Sequence, residues 1–287
     1  MKKILSILFA LLWVISLNAQ VLTVYKSGRV LYCTAYTDSI VVTRAIPHAA
    51  TESAFAISDN SYVCFSPGNL QYHIATGTWR FADYQYDYVA ADITDTTYTG
   101  WIDLFGWGTG NNPTNVEDAN SKFTDWGTNA IGTDVANTWR TLTLDEWLYL
   151  FQHTRWTLAR VNGILGFMLL PDSFETPVGL AVSILGDGNL TDASKNYSES
   201  DYSTNIYNSD EFVLLESAGA IFLPAAGARY GTTLSACGQK GIYWTATTGT
   251  SKAAARYMSF TVTKALVSLN SHAARKYGYS VRLVRDL

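Results

Sequence analysis

The chain has 287 residues, of which 48% are hydrophobic, 14% aromatic and 15% charged. This composition is typical of a folded protein with enough apolar residues for one large core and one small additional unit. The formal net charge of -4 argues against a surface that binds nucleic-acid phosphates, because such surfaces are usually basic. We therefore expect no nucleic-acid partner.

The N-terminus has the three parts of a secretory signal. Met1-Lys2-Lys3 is basic, residues 4–17 form an apolar run, and Asn18-Ala19-Gln20 offers a cleavage site after Ala19. An uncleaved anchor is the less favoured alternative, because the run is shorter than the roughly 20 residues of a membrane span. We expect residues 1–19 to be a signal peptide and the protein to be exported: secreted, periplasmic or on the outer cell surface, without a transmembrane segment.

Residues 20–44 predict a small N-terminal β module. Two alternating runs flank Ser27-Gly28, as in a β-hairpin, and a third short strand is expected at residues 39–43. Residues 45–54 contain Pro47 and several small polar residues, which favour a linker. The main domain is therefore expected over residues 55–287.

Within this domain, Thr143 and Glu146 have the spacing of a helix capping box. The apolar residues that follow recur at helical spacing and predict a face that packs in the core: Trp147, Leu150 and Phe151. Asn162-Gly163 then predicts a tight hairpin turn between residues 158–161 and 164–170. Residues 173–212 are rich in Ser, Asp, Asn, Thr and Tyr, which indicates a long surface insertion.

The C-terminal residues 241–287 alternate between apolar and small polar residues, as in short strands with one buried face. Met258, Phe260 and Val262 are predicted to be buried, whereas Tyr257, Ser259 and Thr261 are predicted to lie on the other face. The sequence thus separates a scaffold from a surface in this region.

This tail resembles the C-terminus of the bacterial "major paralogous domain" family, a C-type-lectin-like branch related to formylglycine-generating enzymes. The matching residues are Gly241, Tyr243, Trp244, Ala255, Tyr257, Phe260, Gly278 and Ser280-Val281-Arg282-Leu283-Val284. Further matching blocks are YVCFSPGNLQY (62–72), GTWRFA (77–82), GWIDLFGWGTG (100–110), WRTLTLDEWLYLF (139–151), GFMLLPD (166–172) and IFLPAAGARYGT (221–232).

The resemblance covers about residues 55–287 and implies an α+β fold. The expected architecture is a C-type-lectin-like domain with short twisted antiparallel sheets, about two helices and long loops, preceded by the small β-hairpin module. The glycine-rich stretch 106–110 is expected to be a structural loop packed by Trp101 and Trp107. A carbohydrate-stacking platform is the alternative for these two residues and for the other tryptophans of the domain, Trp79, Trp126, Trp139 and Trp244.

Catalytic chemistry finds little support in the sequence. Formylglycine-generating enzymes use a pair of cysteines in the C-terminal part of the fold, but here Cys237 stands alone in that region. No GxSxG motif is present, and the four histidines follow no catalytic pattern: His48, His73, His153 and His272. We expect no enzyme, and an activity of the formylglycine-generating type is the least favoured hypothesis.

Metals and other cofactors are not expected either. No two histidines or cysteines have the spacing of zinc ligands. Asp187, Asn189 and Asp192 could offer oxygen ligands to calcium, but a solvated loop is favoured, and the sugar-binding triplets EPN, QPD and WND are absent. The odd number of cysteines, Cys33, Cys64 and Cys237, favours separate unpaired thiols over a disulfide framework.

The resemblance instead implies ligand binding by a displayed surface. Relatives include the variable proteins of diversity-generating retroelements, in which scattered tail positions on a fixed scaffold are randomised. The corresponding candidate ligand-binding residues here are Thr248, Thr250, Lys252, Arg256, Tyr257, Ser259, Thr261, Lys264, His272 and Lys276. Their mixture of types is compatible with diversification and equally with ordinary drift on a solvent-exposed face.

We therefore expect an exported, non-catalytic, monomeric protein that binds a protein or glycan ligand at a cell surface. The alternatives are a structural subunit associated with fimbriae or a surface layer, and an adhesin with a fixed target.

Overall fold

The computed structural model describes the strands within residues 21–43, as backbone only, and residues 53–89, 97–114 and 122–287, apart from the side chains of 265–271. The predicted signal peptide, 1–19, and most of the predicted linker, 45–54, lie outside these residues. The chain divides into two compact units, Met1–His48 and Ala49–Leu287. The division falls within residues 45–54.

The described strands of the first unit form one antiparallel sheet in the order β1-β2-β3: β1 (Val21–Lys26), β2 (Arg29–Tyr36) and β3 (Ser39–Thr43). Lys26 pairs with Arg29 and Tyr36 with Ser39, so that each connection spans only two residues. The hairpin predicted around Ser27-Gly28 is confirmed by this pairing.

The second unit is rich in strands. They are β4 (Phe55–Ser58), β5 (Ser61–Phe65), β6 (Leu70–His73), β7 (Thr78–Phe81), β8 (Trp101–Ile102), β9 (Arg140–Thr141), β10 (Arg155–Val161), β11 (Ile164–Leu170), β12 (Gly186–Asp187), β13 (Ile206–Tyr207), β14 (Ile221–Pro224), β15 (Ala228–Tyr230), β16 (Thr233–Ser235), β17 (Lys240–Thr248), β18 (Ala254–Thr261), β19 (Lys264–Ala274) and β20 (Leu283–Asp286). The α-helices among the described residues are α1 (Leu144–His153) and α2 (Ser209–Ser217).

These strands form several small sheets, and all but one of their pairings are antiparallel. The orders are β4-β5-β20-β9, β7-β6-β8, β12-β10-β11-β14, β15-β16 and β17-β18-β19. The exception is β13, which runs parallel to β10. The unit is therefore a mixed, strand-rich α+β structure with two α-helices in its described part, as predicted at this level of detail.

Helix α1 begins where the sequence predicts. The Thr143 hydroxyl accepts a hydrogen bond from the Glu146 backbone N–H, and the Glu146 carboxylate accepts one from the Thr143 N–H at 2.7 Å. Arg140 donates to Glu146 and to Asp286 at 2.8 Å each, which joins the helix to β20. The residues predicted for the core face are buried: Trp147, Leu150 and Phe151.

The hairpin predicted at Asn162-Gly163 is also present. Both residues have positive φ, 50° and 81° respectively, as a two-residue hairpin turn of this type requires. Strand β10 pairs with β11 from Arg155 to Val161, so it begins three residues before the predicted strand. The hairpin lies in the core, because Trp156, Leu158, Phe167 and Leu169 all belong to its largest cluster.

Residues 173–212 differ from the simple surface insertion that their composition indicates. Asn205 is fully buried, and its side-chain amide donates to the Thr157 hydroxyl and the Leu158 carbonyl. Tyr202 and Tyr207 are buried as well. Composition alone does not identify these three buried residues, because amide and phenol groups can be buried when they have hydrogen-bond partners inside the fold.

The tryptophans predicted to pack are mostly interior. Trp79, Trp107, Trp126, Trp139 and Trp244 are buried in one aromatic cluster. Trp244 Nε1 donates to the Phe105 carbonyl at 2.7 Å, and Trp107 Nε1 donates to the Thr245 carbonyl at 2.9 Å. These two bonds hold β17 against the loop around residue 106. The buried rings cannot form a platform for sugars.

Across the described part of the chain, no helix has the length and apolar character needed to span a membrane.

Candidate binding surface

The sheet β17-β18-β19 carries most of the predicted binding residues, and its two faces pack against different clusters. Trp244 pairs with Tyr257 and faces the tryptophan-rich cluster, whereas Tyr243 pairs with Met258 and faces the largest cluster. The central strand β18 is therefore covered on both sides over much of its length. Ser259 is only 5% exposed. The expectation that Ser259 lies on a solvent-exposed face is wrong, because alternation along a strand defines two faces but not which is covered.

The remaining predicted residues reach solvent to different extents. Thr248, Thr250, Lys252 and His272 are exposed, and Arg256, Tyr257, Thr261, Lys264 and Lys276 are half-buried. The structure does not bring all of them together. Thr261 pairs with Lys264 at one end of the sheet, whereas Arg256 pairs with His272 near the other. Arg256 and Thr261 are five positions apart along β18, which corresponds to about 16 Å.

Arg256 and Tyr257 also point to opposite faces, because they are neighbours in a strand. Tyr257 packs against the tryptophan-rich cluster together with Ala273 and Tyr277. The single contact face predicted from the tail sequence is thus divided between two ends and two faces of the sheet.

A group of four tyrosines lies on the Tyr257 side, and we call it the tyrosine cluster: Tyr230, Tyr257, Tyr277 and Tyr279. The Tyr230 and Tyr277 rings are 4.6 Å apart between centroids at an interplanar angle of 84°, and the Tyr257 and Tyr279 rings are 5.6 Å apart at 71°. Tyr279 is buried against Trp244, whereas Tyr230 is 38% exposed. The cluster therefore extends from the core to the surface.

The backbone holds this cluster in place through reciprocal pairing. Arg229 and Gly278 exchange backbone hydrogen bonds at 2.9 and 2.8 Å, and Phe105 and Tyr279 exchange bonds at 2.9 and 3.0 Å. Gly278 is required here because a Cβ atom would lie 2.9 Å from the Arg229 side chain. The guanidinium of Arg229 is buried and donates to the Leu104 carbonyl at 3.2 Å. Tyr230 at the end of β15 and Tyr277 and Tyr279 on either side of Gly278 are thus held next to one another by backbone hydrogen bonds.

The other three phenols also act on the titration of Tyr279. Burial raises the pKa of Tyr279 above its ordinary value of 10.0, and the neighbouring Tyr230, Tyr257 and Tyr277 raise it further. Tyr279 therefore stays neutral at physiological pH. Neutral phenols donate and accept hydrogen bonds while their rings supply apolar contact area, which is a combination suited to recognition.

Two basic residues, Arg275 and Lys276, directly precede Tyr277 in the chain. The guanidinium of Arg275 lies 4.3 Å from the centroid of the Trp107 ring, and its Nε donates to the Ala254 carbonyl at 3.0 Å. The backbone N–H of Arg275 donates to the Ala253 carbonyl at 2.9 Å. Lys252 precedes Ala253 in the chain and Lys276 follows Arg275, so this bond brings the backbones of the two lysines close together.

Sequence reasoning included Tyr257 and Lys276 among the candidates but missed Tyr230, Tyr277 and Tyr279. The available signal was the alternating Tyr277-Gly278-Tyr279 motif, with a glycine where a side chain would clash. Nothing local indicates that Tyr230, some 47 residues earlier in the chain, contacts Tyr277.

A second polar group is buried beneath the tail. The Tyr243 hydroxyl donates to the Pro224 carbonyl at 2.8 Å and accepts a hydrogen bond from the Asn69 amide at 3.2 Å. Arg282 is buried and donates to Gln85 at 2.7 Å. Asp103 accepts a hydrogen bond from the Val89 backbone N–H at 2.6 Å. These groups connect β17, the C-terminal segment and the loop at 103.

The titration behaviour of this buried group does not favour nucleophilic catalysis. Burial raises the pKa of Asp103 to about 7, although the hydrogen bond from Val89 opposes the shift. Burial and the nearby Asp103 raise the pKa of the Cys237 thiol above 9.0. A thiol with a raised pKa is a poor nucleophile at neutral pH, because the thiolate is the reactive form. Cys64 and Cys237 are both free thiols, whereas the side chain of Cys33 lies outside the described residues.

Two of the three residues considered for calcium, Asn189 and Asp192, have partners within their own loop. Asp192 forms an ion pair with Lys195, and Asn189 Oδ1 accepts hydrogen bonds from the backbone N–H and hydroxyl of Thr191. In the described parts of the chain, no group of three or more His, Cys, Asp or Glu residues is arranged to hold a metal ion.

No protein-family model matches the chain, and comparisons with curated proteins and with solved structures gave no match. The resemblance in the tail therefore stays a prediction.

Proposed function

We propose that this chain is an exported, non-catalytic binding protein that displays a recognition surface on a C-type-lectin-like scaffold. The ligand would contact the tyrosine cluster and the adjoining residues of the β17–β18 turn. The observation that carries the proposal is the convergence of four tyrosines from separate segments in one cluster that extends from the core to the surface.

Tyrosine is suited to such a role because it combines a large, rigid contact area with a hydroxyl group and has few rotatable bonds. Aromatic and arginine side chains also dominate the energetically important positions of protein interfaces. The backbone pairing of Gly278 with Arg229 supports the proposal, since a fixed surface loses little conformational entropy on binding.

Within the same proposal, the exposed tail positions are candidates for diversification. Thr248, Thr250 and Lys252 lie in or beside the β17–β18 turn, where a change of side chain leaves the core clusters intact. Sequencing the DNA for residues 241–287 across a bacterial population tests this part. Substitutions concentrated at adenines of a nearby template copy would support diversification, whereas an invariant segment would favour an adhesin with a fixed target.

A structural subunit is the second candidate, and exposed apolar side chains favour it. Val135, Val178 and Ile206 are 75%, 101% and 61% exposed. An assembly subunit should form oligomers as its concentration rises, whereas a display receptor should remain monomeric. Sedimentation velocity over a range of concentrations separates the two.

The main experiment selects ligands and tests whether they depend on the cluster. A random-peptide phage library is panned on the wild-type protein, and the enriched peptides are then measured against the variant Tyr230→Ser/Tyr277→Ser. We expect peptides that bind the wild type and lose at least about tenfold in affinity for the variant. The matched control is Tyr62→Ser/Tyr84→Ser, which removes two exposed tyrosines elsewhere.

The thermal midpoint of each variant shows whether a loss of binding reflects a loss of folding. Peptides that bind both tyrosine variants equally would place the binding surface elsewhere. A failure to enrich any peptide on the folded protein would count against a peptide-binding role for this chain.

A further inference from the structure

The polar group beneath the tail contains side-chain atoms that are buried and have no hydrogen-bond partner among the described residues. These atoms are Asn69 Oδ1, Ser280 Oγ and the Nε and Nη1 atoms of Arg282. Asn69 and Ser280 are 0% exposed, and Arg282 is 2% exposed. Polar groups buried to this degree almost always have a partner, because an unpaired group costs free energy. These atoms therefore indicate a binding site inside the domain.

The backbone directs these side chains into one interior region. Ser280 and Arg282 alternate with Val281 and Leu283, which are buried in the tryptophan-rich cluster on the opposite side of the segment. Ser280 forms a β-bridge with Tyr243 of β17, and residues paired in this way project their side chains to the same face. The Tyr243 hydroxyl accepts a hydrogen bond from the Asn69 amide at 3.2 Å. Asn69, Ser280 and Arg282 thus lie around the same tyrosine side chain.

The outer edge of β14 borders this region. Gln85 Oε1 accepts hydrogen bonds from the Phe222 backbone N–H and from Arg282 Nη2, at 2.7 Å each. The Tyr243 hydroxyl donates to the Pro224 carbonyl at 2.8 Å. Phe222 and Pro224 are two residues apart in β14, so their backbone groups point to the same edge of the strand. The region is therefore enclosed by β14, β17, the C-terminal segment and the loop that contains Asn69.

The unpartnered atoms require a ligand that both donates and accepts hydrogen bonds. Arg282 Nε and Nη1 are donors, the Ser280 hydroxyl is both donor and acceptor, and Asn69 Oδ1 is an acceptor. The orientation of the Asn69 amide follows from its partner. The Tyr243 hydroxyl donates to Pro224 and so accepts from the Asn69 N–H, which leaves Oδ1 toward the region. A halide, which only accepts, would satisfy Arg282 but not Asn69.

The charges around the region favour a neutral ligand. Burial lowers the pKa of Arg282 only to about 10, so its guanidinium is charged at neutral pH and repels a cation. The Glu216 carboxylate raises the pKa of Arg282 and accepts a hydrogen bond from Gln85 at 2.9 Å. Gln85 thus joins the guanidinium to a carboxylate, which already balances the positive charge without a further anion.

We propose that at least two water molecules are bound in this region and connect Arg282, Ser280 and Asn69. Arg282 Nε offers one N–H and Nη1 two, and the Ser280 hydroxyl and Asn69 Oδ1 each need at least one partner, which makes five positions. A buried water molecule forms at most about four hydrogen bonds, so a single one does not serve all five positions.

The proposed waters attach the C-terminal segment to the rest of the core. Ser280 directly follows Tyr279 of the tyrosine cluster, and Arg282 directly precedes β20. The attachment uses only interior side chains, so it holds this segment in place whatever residues occupy the exposed positions of the tail. The inference is independent of the proposed binding function and survives if that function fails.

A crystal structure of the protein grown in sodium bromide, with anomalous data collected at the bromine absorption edge, tests the inference. We expect at least two water oxygens within about 3.2 Å of these side-chain atoms and no anomalous peak beside Arg282. An anomalous peak there would identify an anion and overturn the inference. Direct hydrogen bonds among the three side chains, without water between them, would overturn it as well.

Oxygen-17 magnetic relaxation dispersion extends the test to solution, because it counts the long-lived internal waters. Arg282→Met removes the N–H donors but retains a long apolar side chain, and it should lower this count by at least about one. The matched control is Arg285→Met, since the Arg285 guanidinium lies 5.5 Å from the centroid of the Trp139 ring, and the count should not change. Equal counts for the wild type and Arg282→Met would contradict the proposal. The crystal structure needs no variant and decides the question if Arg282→Met does not fold.

Discussion

We expect the wild-type protein to lose stability as the pH rises from about 4 to about 8, because the buried Asp103 ionises. The substitution Asp103→Asn should remove this loss. The Asp103 side chain is fully buried, and Oδ1 has no hydrogen-bond partner among the described residues. Burial raises the pKa of this carboxyl from 3.8 to about 7 in the folded state. The substitution retains an oxygen that can accept the hydrogen bond from the Val89 backbone N–H, but it removes the ionisation.

The sign of the effect follows from proton binding. Between pH 3.8 and about 7, Asp103 is protonated in the folded protein and ionised in the unfolded chain, so raising the pH favours unfolding. The contribution of Asp103 to stability is complete below pH 3.8 and is lost as the pH passes through about 7. Each pH unit of this interval corresponds to about 1.4 kcal/mol, so the whole interval corresponds to about 4 kcal/mol.

Urea unfolding monitored by tryptophan fluorescence measures this difference at several pH values between about 4 and about 8. The stability of Asp103→Asn relative to the wild type should rise by about 4 kcal/mol across this range and then level off above pH 7. Nearby Tyr88, Tyr243 and Cys237 do not titrate in this interval, because burial raises the pKa of each above its ordinary value.

Asp201→Asn provides a control of opposite sign. Hydrogen bonds from the backbone and hydroxyl of Ser198 lower the pKa of the exposed Asp201 below 3.8. Its ionisation therefore stabilises the protein above pH 3.8 and loses effect only as the pH falls below that value. The stability difference for this variant should stay flat from about pH 4.5 to 8. A change of less than about 1 kcal/mol for Asp103→Asn over the same range would refute the reasoning about burial.

Three other substitutions test the packing that supports the tail. Trp244→Ala should lower the free energy of unfolding by about 3 to 5 kcal/mol in denaturant titrations, because a buried ring and its hydrogen bond to Phe105 are lost; a loss below about 1 kcal/mol would contradict the assigned face. Gly127→Ala should lower the thermal midpoint by at least about 5 °C, since the new Cβ would lie 1.7 Å from the Trp139 carbonyl oxygen. An unchanged midpoint would show that the backbone moves enough to relieve this clash at little cost in stability. Thr143→Ala should lower the free energy of unfolding by about 1 kcal/mol in denaturant titrations, because it removes the helix cap, whereas Thr143→Ser retains the hydroxyl and should lower it much less. Equal losses for the two variants would show that the capping hydroxyl does not stabilise the protein.

Local features were predictable from the sequence because they depend on residues close together in the chain. The capping box of Thr143 and Glu146 and the Asn162-Gly163 turn each involve a few consecutive residues, and both occur as predicted. Helix α2 was not predicted, although Asn208 and Glu211 form a capping box at its start. Its apolar residues are nearly adjacent in the sequence, so the segment lacks the helical spacing that identifies α1.

The candidate site was predictable only in part. The sequence by itself determined that residues 241–287 contain short alternating strands and that Phe260 belongs to the core. Only the tertiary structure decided that Ser259 is covered, that Trp244 is buried in the tryptophan-rich cluster, and that Tyr230 packs against Tyr277. The physical reason is that alternation fixes the direction of a side chain relative to its own strand. What covers that side chain depends on segments distant in the chain, which only the folded structure brings into contact.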